Sequence, residues 1–183
     1  MIVDIAAGIL ISVGIAHLFG ASLTWLLVII GILAALFPDL DTLTRFFPER
    51  HVIRRIVGVH RGLLHRPLFV ILLSCLAFFA GPLIGTIVVC GVIYHLVHDT
   101  FFLGWGIKWL WPFSELSISI FHDRRGSFVP YALVWQPEDD ARIKAEYSTD
   151  DWVQTFYFRP TLISLTEYPG LVIALIVLYL SMR

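Results

Sequence analysis

Residues 82–100 read Pro-Leu-Ile-Gly-Thr-Ile-Val-Val-Cys-Gly-Val-Ile-Tyr-His-Leu-Val-His-Asp-Thr. From Pro82 to Ile93 no residue carries a charge, and then His95, His98 and Asp99 follow within five positions. A membrane-crossing helix needs about 20 mostly apolar residues. This stretch meets that length and closes on a polar cluster, so its reading decides both the solvent of the chain and the place to look for chemistry.

The composition agrees with a lipid environment. Of 183 residues 58% are hydrophobic and 15% charged, and the mean hydropathy is +0.83. Soluble domains carry about 25% charged residues. The formal net charge of -1 gives no global basic field for nucleic acid. Cys75 and Cys90 lie in apolar runs and read as small hydrophobic side chains. They form no C-x-x-C pair, which removes support for zinc-finger or redox chemistry.

Working outward from 82–99, four more segments approach spanning length: 3–19, 22–37, 64–80 and 161–182. The first is read as a retained helix, because Met1-Ile2-Val3-Asp4 has an acid where a signal peptide needs basic residues. Pro67 and Pro82 stand at early-helix positions that tolerate proline. In the last segment Glu167 and Pro169 either kink one helix or mark its start. The expected fold is an all-α polytopic membrane protein with about five transmembrane helices and a small cytoplasmic segment between the fourth and fifth. Its expected parts are a four-helix membrane region over 1–104, a cap over 105–160 and a C-terminal helix over 161–183.

Breaks at Gly20-Ala21 and Gly81-Pro82 make two helical hairpins, with the loop 38–63 between them. That loop carries Arg45, Arg50, Arg54, Arg55 and Arg61, and a basic loop is retained on the cytoplasmic side. The N-terminus is then cytoplasmic and the C-terminus outside. Residues 100–160 return to the cytoplasm, where Trp105, Trp109 and Trp111 suit the headgroup layer. The run Phe128 to Trp135 has the look of a strand.

With this topology, the His and Asp residues that lipid does not explain fall at cytoplasmic helix ends. Asp4 starts the first helix. Asp39 and Asp41 follow the second in Phe37-Pro38-Asp39-Leu40-Asp41. His60 and His65 precede the third in His60-Arg61-Gly62-Leu63-Leu64-His65. His95, His98 and Asp99 end the fourth. His95 and Asp99 are four apart and share a helix face. Imidazole with carboxylate suits zinc, manganese or iron, and more than four candidate ligands suggest a two-metal site. Other readings stay open: a polar helix exit at Asp39 and Asp41, a lipid-facing basic cluster at His60-Arg61, a hydrogen-bonded interfacial His98, and an interfacial cap at Glu167. His17 falls at the opposite end of its helix and is excluded; His51 and His122 read as loop residues. No G-x-S-x-G, H-E-x-x-H or Gly-rich phosphate loop occurs.

The order P-D-x-D, H-R-G-x-x-H, H-x-x-x-D-T and Trp-Pro resembles the YdjM-like family of membrane-bound metal-dependent hydrolases. The matching residues are Pro38 to Asp41, His60 to His65, His95 to Thr100 and Trp111 to Ser114, so the resemblance covers roughly residues 1–115. It implies divalent-metal binding through Asp39, Asp41, His60, His65, His95 and Asp99. The ligand pattern is similar to that of zinc-dependent phospholipase C enzymes, which implies phosphoester cleavage. Relatives have a His where this chain has Asp4, which would keep a ligand while altering metal preference. They have small hydroxyl residues around the second His, where this chain has Leu64 and Arg66.

The expected function is a membrane-embedded metal-dependent hydrolase acting on a phosphoester or lipid-like substrate at the cytoplasmic membrane face. One or two zinc or manganese ions would be held by Asp4, Asp39, Asp41, His60, His65, His95 and Asp99. Asp41 would accept a proton, and Arg61 or Arg66 would stabilise anionic charge. A metal-ion transporter or sensor is the first rival; its ligands should continue across the bilayer, and here they stay at one face. A metal site that only staples helices is the second.

Overall fold

A computed structural model describes residues 2–40, 62–101, 106–120, 123–124, 127–128, 131–147 and 157–183. Five helical stretches occupy the apolar segments: α1 (Ile2–Leu18), α2 (Trp25–Leu36), α3 (Pro67–Ser74), α4 (Pro82–Thr100) and, at the C-terminus, α6 (Leu162–Ser181). A shorter helix, α5 (Asp140–Tyr147), lies in the segment between α4 and α6. Local chemistry sets the starts. The Thr24 side chain accepts the Leu27 amide proton at the head of α2. Pro67 and Pro82 open α3 and α4, where their missing N–H costs no helix bond. Thr161 and Ser164 form a reciprocal capping box that fixes the start of α6. Pro169 therefore lies inside one helix and does not begin it.

The third apolar run departs from the single helix expected over 64–80. A 3-10 turn at Leu63–His65 precedes α3, and Cys75–Ala80 continues it as 3-10 helix. The α4 helix and the Ile163–Ser181 part of α6 are long and apolar enough to cross a membrane. Ile2–Leu18, Trp25–Leu40 and Pro67–Ala80 are shorter apolar helices.

Close packing brings the helices to a common axis. Gly8 of α1 meets Gly31 of α2 so closely that a Cβ at Gly8 would stand 2.6 Å from the Gly31 carbonyl oxygen. The Ser12 hydroxyl lies 2.9 Å from both the Gly8 and Leu27 carbonyls and joins the same two helices. Small residues and a hydroxyl at the seam are the usual means of association where lipid removes the hydrophobic drive between helices. The α6 helix runs alongside α1, with Ala174 and Leu178 against Ala6 and Ile9. At the other end of the bundle Ala16, Leu27 and Ile87 meet. Large apolar side chains such as Leu26, Ile29, Leu33, Leu72, Val172, Ile176 and Leu180 point outward.

The cap corrects the all-α expectation. It contains β1 (Ser117–Ser119) paired antiparallel with β4 (Leu133–Trp135), and β2 (Asp123–Arg124) paired antiparallel with β3 (Ser127–Phe128). The strand anticipated over Phe128 to Trp135 is thus two separate short pieces. Trp135, Ile143 and Tyr147 form a small core, and the Trp135 indole donates to Asp140 at 2.7 Å. The cap folds back directly from α4: the Ile120 amide donates to the Thr100 carbonyl at 2.7 Å. The Trp109 indole donates to the Thr100 hydroxyl at 2.8 Å while its ring packs against the Val70, Val92 and Leu96 core. Trp109 is therefore a joint between cap and bundle, where a headgroup-layer anchor was expected. Trp105 lies outside the described residues.

Candidate metal centre

The centre forms where α2 stops being an α-helix. After Leu36 the chain tightens into a 3-10 turn over 37–40, and the Phe37 amide bonds back to Ala34. A helix end leaves its last carbonyls in need of donors outside the helix. The Ala35 carbonyl is 2.8 Å from Nδ1 of His95 on α4. That contact requires close approach of α4 to α2, and Gly91, one turn before His95, permits it. A Cβ there would stand 2.9 Å from Ala34 Cβ and 3.1 Å from the Ala35 nitrogen.

The bond settles the chemistry of the imidazole. A carbonyl only accepts, so Nδ1 of His95 carries the proton and donates it. In the neutral ring the lone pair is then on Nε2, the form in which a histidine binds metal. His95 is 1% exposed, and Nε2 has no hydrogen-bond partner among the described residues. It faces two carboxylates, 3.7 Å from Asp39 Oδ1 and 3.8 Å from Asp99 Oδ2. The second imidazole enters from the 3-10 turn before α3. His65 Nε2 stands 3.4 Å from Asp99 Oδ2 and 3.9 Å from Asp39 Oδ1, with the two rings edge to face at 5.5 Å.

These spacings fit a shared ion better than a set of mutual hydrogen bonds. Ligand atoms about 2.1 Å from a tetrahedral ion stand about 3.4 Å from one another. Three of these pairs, at 3.7–3.9 Å, are too long for direct hydrogen bonds, and His65–Asp99 at 3.4 Å is at the limit of one. One ligand atom each from Asp39, His65 and His95 lies within 4.8 Å of the others. Asp99 adds a carboxylate oxygen near both imidazoles. The three grouped donors, two imidazoles and the half-buried Asp39 carboxylate, are of the types that a divalent ion such as zinc or manganese takes, and Asp99 stands beside both imidazoles.

Asp4 is buried but placed on the other edge of His95. Its Oδ1 is 3.4 Å from Nδ1 of His95 and 3.7 Å from Nδ1 of His98. It thus stands on the Nδ1 side of the imidazole, beside the proton that His95 gives to Ala35, and not at the Nε2 edge. His98 lies with it, stacked on Tyr94 and 4.0 Å from Asp99 Oδ1. Asp41, His60 and Arg61 lie outside the described residues. Arg66 follows His65 at the N-cap of α3. Its guanidinium stacks 4.6 Å from the Trp111 ring centroid and lies 4.0 Å from Glu115, which also pairs with Lys108 at 2.6 Å. The Lys108 hydrogen bond holds the Glu115 carboxyl below its ordinary range. An anion reaching Arg66 must therefore compete with Glu115.

One long-range contact was missed in the sequence. Glu167, read above as an interfacial cap, is buried and accepts a hydrogen bond from the Val3 amide at 3.1 Å. The only hint was a carboxylate inside an apolar run, and nothing local pointed to a partner 164 positions away.

A family model described as YdjM inner membrane protein matches residues 3–182. The chain belongs to the YdjM family of inner membrane proteins. The YdjM match runs through the cap and the last helix, so it extends well past residue 115, where the motif resemblance stopped. Membership of YdjM, with two helices long and apolar enough to span, makes this an integral membrane protein in contact with the lipid bilayer. No curated protein and no solved structure matches the chain.

Proposed function

We propose that this YdjM protein is a membrane-embedded metal-dependent hydrolase whose site opens at the cytoplasmic membrane face and takes a phosphoester or lipid-like substrate. The observation that supports it most is His95: Nδ1 is committed to the Ala35 carbonyl, and Nε2 is buried between Asp39 and Asp99 beside His65. Two imidazoles and two carboxylates brought together from α2, the turn before α3 and α4 are the donor types that a divalent ion takes.

Asp39, His65, His95 and Asp99 would hold the ion, with Asp41 and His60 as further donors from the adjoining loop. A bound divalent ion would supply an activated water and polarise a phosphoryl oxygen. The chain's own residues do the rest. Ala35 fixes the His95 tautomer, Asp4 backs the ring, and the helix seam keeps bulk water from the inner wall. Asp41 would accept the proton released on attack, and Arg61 or Arg66 would stabilise the developing anion.

The topology belongs to the same proposal. Five spans, with the N-terminus cytoplasmic and the C-terminus outside, place the start of α1, the end of α2, the start of α3 and the end of α4 at one membrane face. The test is bound metal and turnover of phosphoester and lipid substrates by purified protein, with His65→Ala and His95→Ala alongside. Activity lost with metal while the fold persists supports the hydrolase. Metal that binds without any turnover, and whose removal only unfolds the protein, indicates a helix staple. Metal transport into sealed vesicles would favour the transporter.

A further inference from the structure

The last helix carries a carboxylate that neither the proposed ligands nor the proposed proton acceptor uses. Glu167 stands in the second turn of α6, 3% exposed, within the apolar stretch long enough to span. Ionisable groups at such depth are expensive and are retained where they have specific partners. Both carboxylate oxygens have one. Oε2 accepts from the Val3 backbone N–H at 3.1 Å, and Oε1 accepts from the Tyr157 hydroxyl at 3.1 Å.

Val3 belongs to the first turn of α1, whose amides have no carbonyl inside the helix to bond. A negative group there also meets the positive end of the helix dipole. Capping normally comes from a side chain just before the helix. Here it comes from α6, across 164 positions, and Tyr157 holds the carboxylate in place from the segment that leads into α6. Burial, then the Glu167 charge beside it, pushes the Tyr157 phenol well above its ordinary value, so it stays a donor. The next residue of α1 is Asp4, 1% exposed, with its carboxylate against His95 and His98.

We infer that Glu167, held by Tyr157, is a positioning residue that fastens the first turn of α1 and thereby sets Asp4 behind His95. The α6 helix is then a working part of the centre and not a detachable anchor. A rotation of the α1 first turn would swing Asp4 away from both imidazoles. The metal consequence rests on the reading of the site given above; the placement of Asp4 does not.

The test separates the two. In metal-free, full-length protein in nanodiscs, the ring nitrogen resonances of 15N-labelled histidine report the neighbours of His95 and His98. Asp4→Asn supplies the reference shift. Glu167→Ala should move the same His95 and His98 signals in the direction that Asp4→Asn does. Glu167→Gln, which keeps an acceptor for Val3, should stay close to the wild type. Tyr157→Phe, a milder change should Glu167→Ala fail to fold, should give a smaller shift of the same kind. Imidazole signals unchanged in both Glu167→Ala and Tyr157→Phe would overturn the proposal. So would equal shifts in Glu167→Gln and Glu167→Ala. In a zinc-competition titration run alongside, Glu167→Ala should bind about 10–100-fold more weakly, the usual effect of disturbing a group behind a ligand. Wild-type protein that binds no zinc would sink the metal reading while the resonance shifts still decide the role of Glu167.

Discussion

Replacing His95 with alanine separates two roles of one ring. On the Nδ1 side, the change strands the Ala35 carbonyl, 2.8 Å away and shielded by α4. Leaving a buried acceptor without its donor costs about 1–3 kcal/mol. On the Nε2 side, it removes a direct ligand from between Asp39 and Asp99. His98 is three positions further along α4, but its Nδ1 faces Asp4 at 3.7 Å, so it cannot reach that place without turning the helix. His98→Ala should therefore behave as the loss of a supporting group, a drop of about 10–100-fold in metal affinity or activity, roughly 1.4–2.7 kcal/mol. His95→Ala and Asp99→Ala should each exceed that and abolish metal-dependent activity, with the protein still inserted. The assay is a competition titration with a chromogenic chelator on detergent-purified protein, paired with thermal unfolding of the metal-free forms and hydrolysis rates. If His98→Ala is as impaired as His95→Ala while Asp99→Ala keeps metal and activity, the assignment of this helix end is wrong.

Gly91→Val should push α4 off α2, because even a Cβ would lie 2.9 Å from Ala34 Cβ; overpacking of this kind costs about 1–3 kcal/mol, read as a lower unfolding midpoint, and metal affinity should fall with it. Reporter fusions or cysteine labelling at residue 50 and at the C-terminus should report opposite sides of the membrane, and finding both on one side would remove the five-span, N-in arrangement. An amphiphilic phosphoester should be turned over faster than its water-soluble headgroup analogue, since the site adjoins the ends of the spans; equal rates would indicate a site open to the cytosol.

The apolar runs were legible because they are local. Pro67 and Pro82 were read as early-helix residues and do open their helices, whereas the caps at Thr24 and Thr161–Ser164 were not read, and the second apolar run was started at 22 where its helix begins at Trp25. The convergence of Asp39, His65, His95 and Asp99 was legible for a different reason: hairpins alternate direction, so helix ends that share a face must meet. What escaped depends on contacts distant in sequence or on subtle backbone choices. The uniform apolar run 75–80 gives no sign that it tightens into 3-10 helix. The strand expected up to Trp135 gives no sign of its partner Ser117–Ser119, which is distant in sequence, and the helix Asp140–Tyr147 is brief and polar, below what periodicity resolves. Asp4 was expected among the ligands because its helix end was right, yet which edge of His95 it would meet depends on the rotation of α1. Only the fold shows that Glu167 reaches that same first turn.

Asp39, His65, His95 and Asp99 should hold a divalent ion in the folded protein. Elemental analysis of metal per chain tests it most directly, on protein purified in detergent, loaded with zinc and freed of excess, beside a His65→Ala/His95→Ala double variant. Metal at one or two ions per folded chain is expected in the wild type, and its loss in a double variant that remains helical and inserted. Folded wild-type protein that retains no metal, or a double variant that retains as much as the wild type, would contradict it.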